Sequence, residues 1–446
     1  MSFVIFPKFA VVLEVILFIL MKRKTLLIFI VFMLFNSAFS YYYHTYEHNQ
    51  KHRYILSSDA WGYYQYLTAV FYEKDVANQP YSVRSEKGML LNKYNYGVAL
   101  LELPFFLPPY FICKIFQIPT KGFTPIFSIM IVLASLTYAF LGLLYLFKFL
   151  REKFDWKISI ITIFLIYYAT NLFFYSTVEP GMSHSFSFFL IAILLYFTDK
   201  VYKKASLKNF IILGITLGLI VAIRTLNILV VLFILFYDVN SFNDFKERIV
   251  FIFNKFSKFL IIPLLTFIFF VPQLLYWHLT TGHFYTNPYN QPGSHEGFFY
   301  LANPKIFEIL FSVMGGWISF IPIIAVILVS LIWLAIKRKH NGLAILFTFL
   351  PILYLYSSWW FFERTGPGNR FFIDFYALLA IPLAFTISRA INIKRKYFKI
   401  AIFLFFGVLV YFNFNMTIDF RHWWFDLENW GWRYYLQYIF HWFFLS

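Results

Sequence analysis

Long apolar segments alternate with short polar connections along almost the whole chain. Apolar runs of roughly 17–25 residues recur from end to end, long enough to cross the hydrocarbon core of a bilayer as one helix. We predict eleven crossings, at residues 26–41, 124–147, 159–175, 185–198, 210–223, 226–237, 260–277, 317–336, 343–357, 371–387 and 401–414. The pattern therefore predicts an all-α polytopic membrane protein with about eleven transmembrane helices.

The amino-acid composition supports this class. Hydrophobic residues make up 61% of the 446 residues and charged residues only 13%, whereas a soluble protein has about 25% charged residues. The chain has a single cysteine, Cys113, which excludes an internal disulfide and a cysteine-based metal site.

The positive charges indicate orientation. Of the 38 Lys and Arg residues, 23 fall in six clusters between apolar runs, at 22–24, 148–157, 200–208, 246–258, 337–339 and 389–399. Lys and Arg are retained in cytoplasmic loops, so the net charge of +17 reports topology and does not indicate a nucleic-acid partner.

If all six clusters are cytoplasmic, the number of crossings between successive clusters must be even. Two assignments satisfy this condition. The run 208–238 divides into two crossings at Arg224, which lies at an outer turn. Residues 96–116 do not cross, and their three prolines predict a broken juxtamembrane or re-entrant helix, since proline removes backbone donors.

These assignments predict one integral membrane domain flanked by two terminal segments. The predicted parts are an upstream extension or extra N-terminal helix (1–21), the transmembrane domain (22–414) with outer loops 42–123 and 278–316, and an aromatic interfacial tail on the outer side (415–446).

The candidate chemistry lies on the predicted outer face. The cytoplasmic loops are short and basic, and no GxxxxGK[ST] or GxGxxG sequence stands where a phosphate-binding loop would need it. Outside, Asp59 follows the first crossing in the stretch SSDAWGYYQYL. A carboxylate can act as general base toward a hydroxyl, and arginines bind phosphate through charge-assisted bonds. These residues suit a reaction on a lipid-linked phosphate.

Four stretches carry a resemblance to a known family: SSDAWGYYQYL, YNYGVALLELPFFLPPYF, GLIVAIRTLNILVV and GNRFFIDFYALLAIPLA. In order and position they resemble the GT-C glycosyltransferases, in particular bacterial mannosyltransferase-like and aminoarabinose-transferase-like members. The family uses polyprenyl-phosphate sugars and has a catalytic acid in its first extracytoplasmic loop. Asn95 stands where proline is common in the family, and Asp59 lacks the adjacent second acid of the protein O-mannosyltransferase branch.

The resemblance implies an inverting transferase in the inner (plasma) membrane, with its active site on the periplasmic or extracellular side. It would take a polyprenyl-phosphate sugar donor and an extracytoplasmic acceptor, namely a glycolipid, a polysaccharide or a protein. Asp59 would be the catalytic base. No cofactor is expected, and a divalent cation is not indicated. The candidate substrate-binding residues are Tyr63, Tyr64, Glu102, Glu179, His184, Arg224, His283, Arg364 and Arg370.

Several of these residues could have a purely structural role instead of a role in the site. Asp59 has good sequence context for a helix N-cap, and Glu179 with His184 could cap a helix in the same way. Arg224 and Arg370 could be interfacial anchors. His44, His48 and His52 recur every four residues, a spacing that fits either a metal site or an interfacial helix face.

Two other functions are open at the level of the sequence. A lipid or polysaccharide transporter or flippase would place ionisable groups near the middle of the membrane and often has inverted repeats; here the charges gather on one face. A membrane acyl- or phosphoethanolamine transferase would need a dense histidine or metal constellation, for which the histidine trio is the only candidate.

Overall fold

The computed structural model describes residues 23–47, 55–85, 87–291, 296–363, 366–423 and 431–444. In these residues the regular structure is helical apart from one antiparallel hairpin, β1 (Val83–Arg84) with β2 (Leu90–Leu91). The helices are α1 (Arg23–Tyr42), α2 (Asp59–Thr68), α3 (Gly97–Ile115), α4 (Pro125–Leu150), α5 (Trp156–Tyr168), α6 (Leu172–Thr177), α7 (His184–Lys203), α8 (Leu207–Ile223), α9 (Val231–Phe236), α10 (Phe242–Asn254), α11 (Phe256–Phe259), α12 (Ile261–Thr281), α13 (Ile306–Phe311), α14 (Trp317–Phe320), α15 (Ile323–Ile336), α16 (Gly342–Ser357), α17 (Tyr376–Ile391), α18 (Lys396–Trp423) and α19 (Trp432–Phe444).

Short helical turns of other types join several of these helices. The 3₁₀ segments Thr225–Val230 and Arg370–Phe375 precede α9 and α17, and the π-helical segments Tyr43–Glu47 and Ala69–Glu73 follow α1 and α2.

The predicted membrane class is confirmed. Among the described residues, 7 helices are long and apolar enough to cross a membrane by length and composition, and five shorter apolar helices have 10–17 residues. Each of the eleven predicted crossings overlaps one of these helices. The one remaining helix of the set is α3.

Helix α3 corrects one sequence prediction. The segment was expected to be broken by its prolines, but it is a continuous α-helix of 19 residues with three prolines inside it. Gly97 lies against the backbone of Ile223, the last residue of α8. The Phe106 ring packs 5.2 Å from that of Phe127 in the first turn of α4. The start of α3 therefore contacts the end of α8 and its middle contacts the first turn of α4, which favours the expectation that the helix does not cross; this stays a prediction.

The directions of neighbouring helices match the predicted alternation of crossings. Helices α4 and α7 run parallel, since Ser135 bonds to Ser185 at 2.9 Å and, further along, the rings of Tyr145 and Tyr196 are 5.8 Å apart. Helices α8 and α12 also run parallel. They approach closely at Gly214, which faces the Ile261–Ile262 backbone, and one turn later at Gly218, which faces Leu265 and Phe269, because glycines let two backbones come together.

One end of the bundle, here called the basic end, gathers residues from the predicted cytoplasmic clusters. Glu152 binds Lys200 at 2.7 Å and Lys203 at 2.9 Å. Nearby, the backbone N–H of Asp238 donates to Asn341. The C-terminal ends of α4, α7 and α9 therefore meet here, as the predicted topology requires.

The last long helix extends past the predicted crossing at 401–414, and the predicted boundary of the tail at 415 stays a prediction. Helix α18 continues to Trp423. Helix α19 then packs back on it, because the Tyr411 hydroxyl donates to the Trp442 carbonyl at 2.9 Å and the Trp442 indole donates to Asp419 at 2.5 Å. These contacts extend α18 beyond its apolar run.

Candidate active site

A cavity of about 1110 Å³ opens at the end of the bundle opposite to the basic end. It lies where α2, the loop before α3, the turn after α8, the second predicted outer loop and the segment before α17 converge. Its polar and charged lining includes Ser57, Asp59, Tyr63, Lys93, Tyr94, Asn95, Tyr175, Glu179, Arg224, Thr225, Tyr289, Glu296, Tyr356 and Arg370. Apolar walls with a few converging polar groups are typical of a ligand site.

Asp59 begins α2 at the cavity wall. The residue before it, Ser58, has a positive φ of 54° and makes no side-chain cap bond, a strained conformation that is uncommon outside glycine. The Asp59 Oδ2 atom is 2.6 Å from the Arg370 guanidinium, and Oδ1 accepts the Tyr94 hydroxyl at 2.6 Å. The structure thus turns the carboxylate to the cavity rather than to the helix end.

The electrostatic surroundings keep Asp59 ionised. Burial by itself raises the pKa of this carboxyl, because a low-dielectric environment disfavours the charged form. The Arg370 charge and the Tyr94 hydrogen bond outweigh burial and, with smaller contributions from Arg224 and Lys93, hold the pKa below its usual value of 3.8. The side chain is still 16% exposed and the paired Arg370 side chain 19%, so both remain accessible from the cavity.

Arg370 is held in place by the local backbone. Asn369 has a φ of 53°, which turns the chain sharply before the 3₁₀ segment, and its side chain donates to the Phe362 carbonyl at 2.9 Å. Phe372, two residues after Arg370, is fully buried and stacks on Trp317 at 4.2 Å. This anchoring leaves only the Arg370 end of the segment facing the cavity.

Arg224 supplies a second cation to the cavity. It lies between α8 and the following 3₁₀ segment, next to the phenols of Tyr63 and Tyr356 and 5.8 Å from the centre of the Phe371 ring. In the part of the chain that the structure describes, no carboxylate forms an ion pair with Arg224. Its charge is therefore available to an anion.

A second ion pair borders the cavity beside Asp59. Lys93 binds Glu296 at 2.6 Å, and its ammonium lies 6.0 Å from the centre of the Tyr289 ring. Asn95 donates to the Thr225 hydroxyl at 3.1 Å and so connects the loop before α3 to the segment after Arg224. Proline is common at this position in the GT-C glycosyltransferases that the sequence resembles. A proline side chain could not donate this hydrogen bond.

The predicted site residues divide into those that line the cavity and those that do not. Asp59, Tyr63, Glu179, Arg224 and Arg370 line it. Four others do not, namely Tyr64, Glu102, His184 and His283. Arg364 lies outside the described residues.

The four residues away from the cavity have different surroundings. Tyr64 is buried and donates to the Gly122 carbonyl at 2.6 Å, while His283 is exposed. His184 is fully buried with Asp374. Glu102 is fully buried as well, and neither of its oxygens has a hydrogen-bond partner among the described residues.

The histidine trio has no described metal geometry. His48 and His52 lie outside the described residues. Among the residues that the structure does describe, no three His, Cys, Asp or Glu side chains gather in a way that could hold a metal ion.

Sequence analysis missed Lys93, Tyr94, Tyr289 and Glu296 as members of the site. Lys93 and Tyr94 stand two and one residues before Asn95, in the same motif that carries the resemblance. That position was the available signal for them. Tyr289 and Glu296 had none, because they come from a separate loop that only the folded chain brings to Asp59.

The fold matches known membrane proteins, although sequence comparison does not. No protein-family model and no curated protein sequence matches the chain. The crystal structure of the Archaeoglobus fulgidus oligosaccharyltransferase in the apo form is similar, with a TM-score of 0.51, 13% sequence identity, and coverage of 88% of this chain and 55% of that one. The archaeal oligosaccharyltransferase AglB from Archaeoglobus fulgidus, in complex with an inhibitory peptide and a dolichol-phosphate, gives a TM-score of 0.47 at 13% identity, covering 90% of this chain and 56% of that one.

These comparisons define the class of fold. The protein has a polytopic helical membrane fold similar to that of the Archaeoglobus fulgidus oligosaccharyltransferase. It spans about half the length of the oligosaccharyltransferase structures that it matches, and at 13% identity the likeness concerns the fold.

Proposed function

We propose that this protein is a membrane glycosyltransferase. In this proposal it moves a sugar from a polyprenyl-phosphate donor to an acceptor on the extracytoplasmic side of the plasma membrane, with inversion at the anomeric carbon. The observation that carries the proposal is the cavity in which Asp59 lies beside Arg370 while Arg224 has no acidic partner among the described residues. The oligosaccharyltransferase-like fold supports it.

The two arginines suit the donor phosphate. A guanidinium presents a fork of donors that matches phosphate oxygens. Arg224 lies beside the phenols of Tyr63 and Tyr356 and interacts with the Asp374 carboxylate only at longer range, without a direct ion pair, so an incoming phosphate could form the direct contact that it lacks. The polyprenyl chain would leave the cavity toward the bilayer.

Asp59 suits the role of general base toward the acceptor. An ionised carboxylate has about four lone-pair positions, and Tyr94 and Arg370 occupy two of them. A donor phosphate that shares Arg370 would weaken the ion pair and so raise the basicity of Asp59. The acceptor oxygen then attacks the anomeric carbon as its proton passes to Asp59, the bond to the phosphate oxygen breaks, and polyprenyl phosphate leaves with that electron pair.

Transfer from a defined donor tests the function. Purified protein in vesicles is supplied with a polyprenyl-phosphate sugar and candidate glycolipid, polysaccharide and peptide acceptors, and product and released polyprenyl phosphate are measured. We expect equal amounts of both, with inverted configuration at the new bond by NMR. Movement of the intact donor between leaflets without bond cleavage would instead show a flippase, and retained configuration would refute direct displacement.

A further inference from the structure

A buried polar cluster below the cavity joins the two arginine-bearing segments. The carboxylate of Asp374 lies 2.8 Å from the His184 Nδ1 atom and accepts the Asn227 side-chain amide at 2.7 Å. All three side chains are fully buried. Because a buried charge is stable only when it is well hydrogen-bonded, each of these contacts constrains the backbone that carries it.

The three residues come from the elements that matter for the cavity. Asn227 is three residues after Arg224, within one 3₁₀ segment, and Asp374 is four residues after Arg370, within the other. His184 is the first residue of α7, a helix packed along α4. Short 3₁₀ segments have poor hydrogen-bond geometry of their own, so their positions depend on such external contacts.

We propose that Asp374 is a positioning residue that sets Arg224 and Arg370 relative to each other through Asn227 and its own 3₁₀ segment. It does not line the cavity and acts through the arginines. This inference rests on the proposed function in one respect, namely that the two arginines bind the donor phosphate. It also assigns His184 a supporting place in the cluster instead of the substrate contact expected from the sequence.

A double-mutant cycle tests this role. Polyprenyl-phosphate binding and donor KM are measured for wild type, Asp374→Asn, Arg224→Gln and the double variant. We expect Asp374→Asn to weaken donor binding about tenfold, within the range of coupled neighbours, with a smaller change in kcat. In the Arg224→Gln background the same substitution should add little, because one of the two arginines whose relative position Asp374 sets is already gone.

Controls separate positioning from general destabilisation. Tyr237→Phe removes another buried bond to a carboxylate, that of Tyr237 to Asp199 at 2.6 Å near the basic end, and should lower stability without changing donor KM. If Asp374→Asn does not fold, Asn227→Ala leaves the His184–Asp374 contact in place and should still raise donor KM. Independent, multiplicative effects of Asp374→Asn and Arg224→Gln would overturn the positioning role alone. Absence of polyprenyl-phosphate binding by wild type would overturn the proposed function and this inference with it.

A separate surface lies at the basic end. Helix α10 is held to the bundle by Arg248, which stacks 3.4 Å over the centre of the Tyr202 ring and donates to the Tyr237 carbonyl. A different face of α10 carries large apolar side chains that are exposed, with Phe242 at 70% and Phe253 at 69%. The members of this apolar stripe are Phe242, Ile249, Val250 and Phe253.

The surroundings of the stripe identify its partner as lipid. It continues into the exposed apolar residues Phe256, Leu260 and Leu264 at the start of the helix Phe256–Thr281, one of the candidate membrane spans. Exposed Lys246 lies on the same face of α10 as the stripe, and exposed Lys255 follows the end of the helix. An apolar stripe flanked by lysines is typical of a helix in the interfacial layer of an anionic bilayer.

We infer that α10 lies in the headgroup layer, with its stripe in the acyl-chain boundary and its lysines on anionic phospholipids. The test uses Phe253→Cys with an environment-sensitive fluorophore in a Cys113→Ala background, in phosphatidylcholine vesicles with and without phosphatidylglycerol. Glu247→Cys, at an exposed position on the polar side of α10, is the matched control.

We expect brominated lipid to quench the label at position 253 and not at 247. The quenching should increase with phosphatidylglycerol, and Lys246→Gln with Lys255→Gln should abolish the increase. Equal quenching of both labels by aqueous iodide would overturn the inference, as would shielding of position 253 from both quenchers, which would indicate a protein partner. Quenching at 253 that does not respond to phosphatidylglycerol would overturn the headgroup contact.

Discussion

The ion pair between Asp59 and Arg370 governs how the site responds to pH. The surrounding cations and the Tyr94 hydroxyl hold the Asp59 pKa below 3.8 in the folded protein. A carboxyl with a depressed pKa stabilises the fold above its unfolded pKa, and that stabilisation is lost only as pH falls through the folded value. We therefore expect kcat/KM between pH 5 and 8 to show no acidic limb from Asp59. An acidic limb near pH 6 that disappears in Asp59→Asn would contradict this.

Substitution of Arg224 tests whether this residue binds the donor phosphate. Because Arg224 is a cavity cation with no acidic partner among the described residues, Arg224→Gln should raise the donor KM by about tenfold or more, the loss of roughly one charged hydrogen bond. Arg224→Lys keeps the positive charge but loses the bidentate geometry of the guanidinium. Its donor KM should therefore lie between those of wild type and Arg224→Gln. Arg84→Gln, on the exposed hairpin, is the control. An unchanged donor KM in Arg224→Gln would remove Arg224 from the phosphate site.

At the level of single residues, the sequence indicated several residues that line the cavity but not the ion pair beside them. Asp59, Arg224 and Arg370 were proposed because an acid or an arginine at the edge of an apolar run is unusual; all three line the cavity, and their roles stay predictions. Lys93 and Glu296 look like ordinary loop charges, and their meaning comes from a 2.6 Å contact between positions 203 residues apart. His184 was misplaced because nothing in the sequence shows that Asp374 faces it.

Among the elements, the junction of α3 and α8 offers a test of packing near the site. A Cβ atom on Gly97 would lie 2.4 Å from the Ala222 backbone carbon. Gly97→Ala should therefore destabilise the fold by about 1–3 kcal/mol, as overpacking does. It should also raise donor KM, because Asn95 and Thr225 would move apart. Thermal unfolding in detergent and the transfer assay measure the two effects.

Gly407 provides the control for this substitution. It lies inside α18 with nothing within 4 Å of an added Cβ, and alanine is the better helix former. Gly407→Ala should leave stability unchanged or slightly higher. Equal destabilisation by both substitutions would mean that the close approach at Gly97 is not what limits that position.

The positions of the apolar helices were predicted closely from the hydrophobic pattern, and the differences have physical causes. Proline removes a backbone donor, which is the reason for predicting a break in α3, yet packing against α2, α4 and α8 keeps the helix continuous. Helix α18 continues past the predicted crossing 401–414 into polar residues, where contacts with α19 stabilise it. Hydrophobicity reports the membrane environment and does not report such tertiary contacts.

For the whole molecule, the predicted orientation is open to direct measurement. Cysteines at exposed positions His283, Lys204 and Arg338, in a Cys113→Ala background, are treated with a membrane-impermeant maleimide in intact cells. We expect labelling at 283 from outside, and at 204 and 338 only after permeabilisation, because the basic clusters are retained in the cytoplasm. Labelling of 204 from outside with protection of 283 would invert the topology and place the cavity on the cytoplasmic face.

The central claim is that the cavity transfers a sugar from a lipid-linked phosphate with Asp59 as the base. The most direct measurement compares sugar transfer from a polyprenyl-phosphate donor by purified wild type, Asp59→Asn and Glu73→Gln, whose Glu73 is an exposed acid away from the cavity. With folding verified, we expect Asp59→Asn to reduce transfer by on the order of 10² or more, the usual effect of losing acid–base catalysis, and Glu73→Gln to retain wild-type activity. Full transfer by Asp59→Asn, or no transfer by wild type with any polyprenyl-phosphate sugar, would contradict the claim.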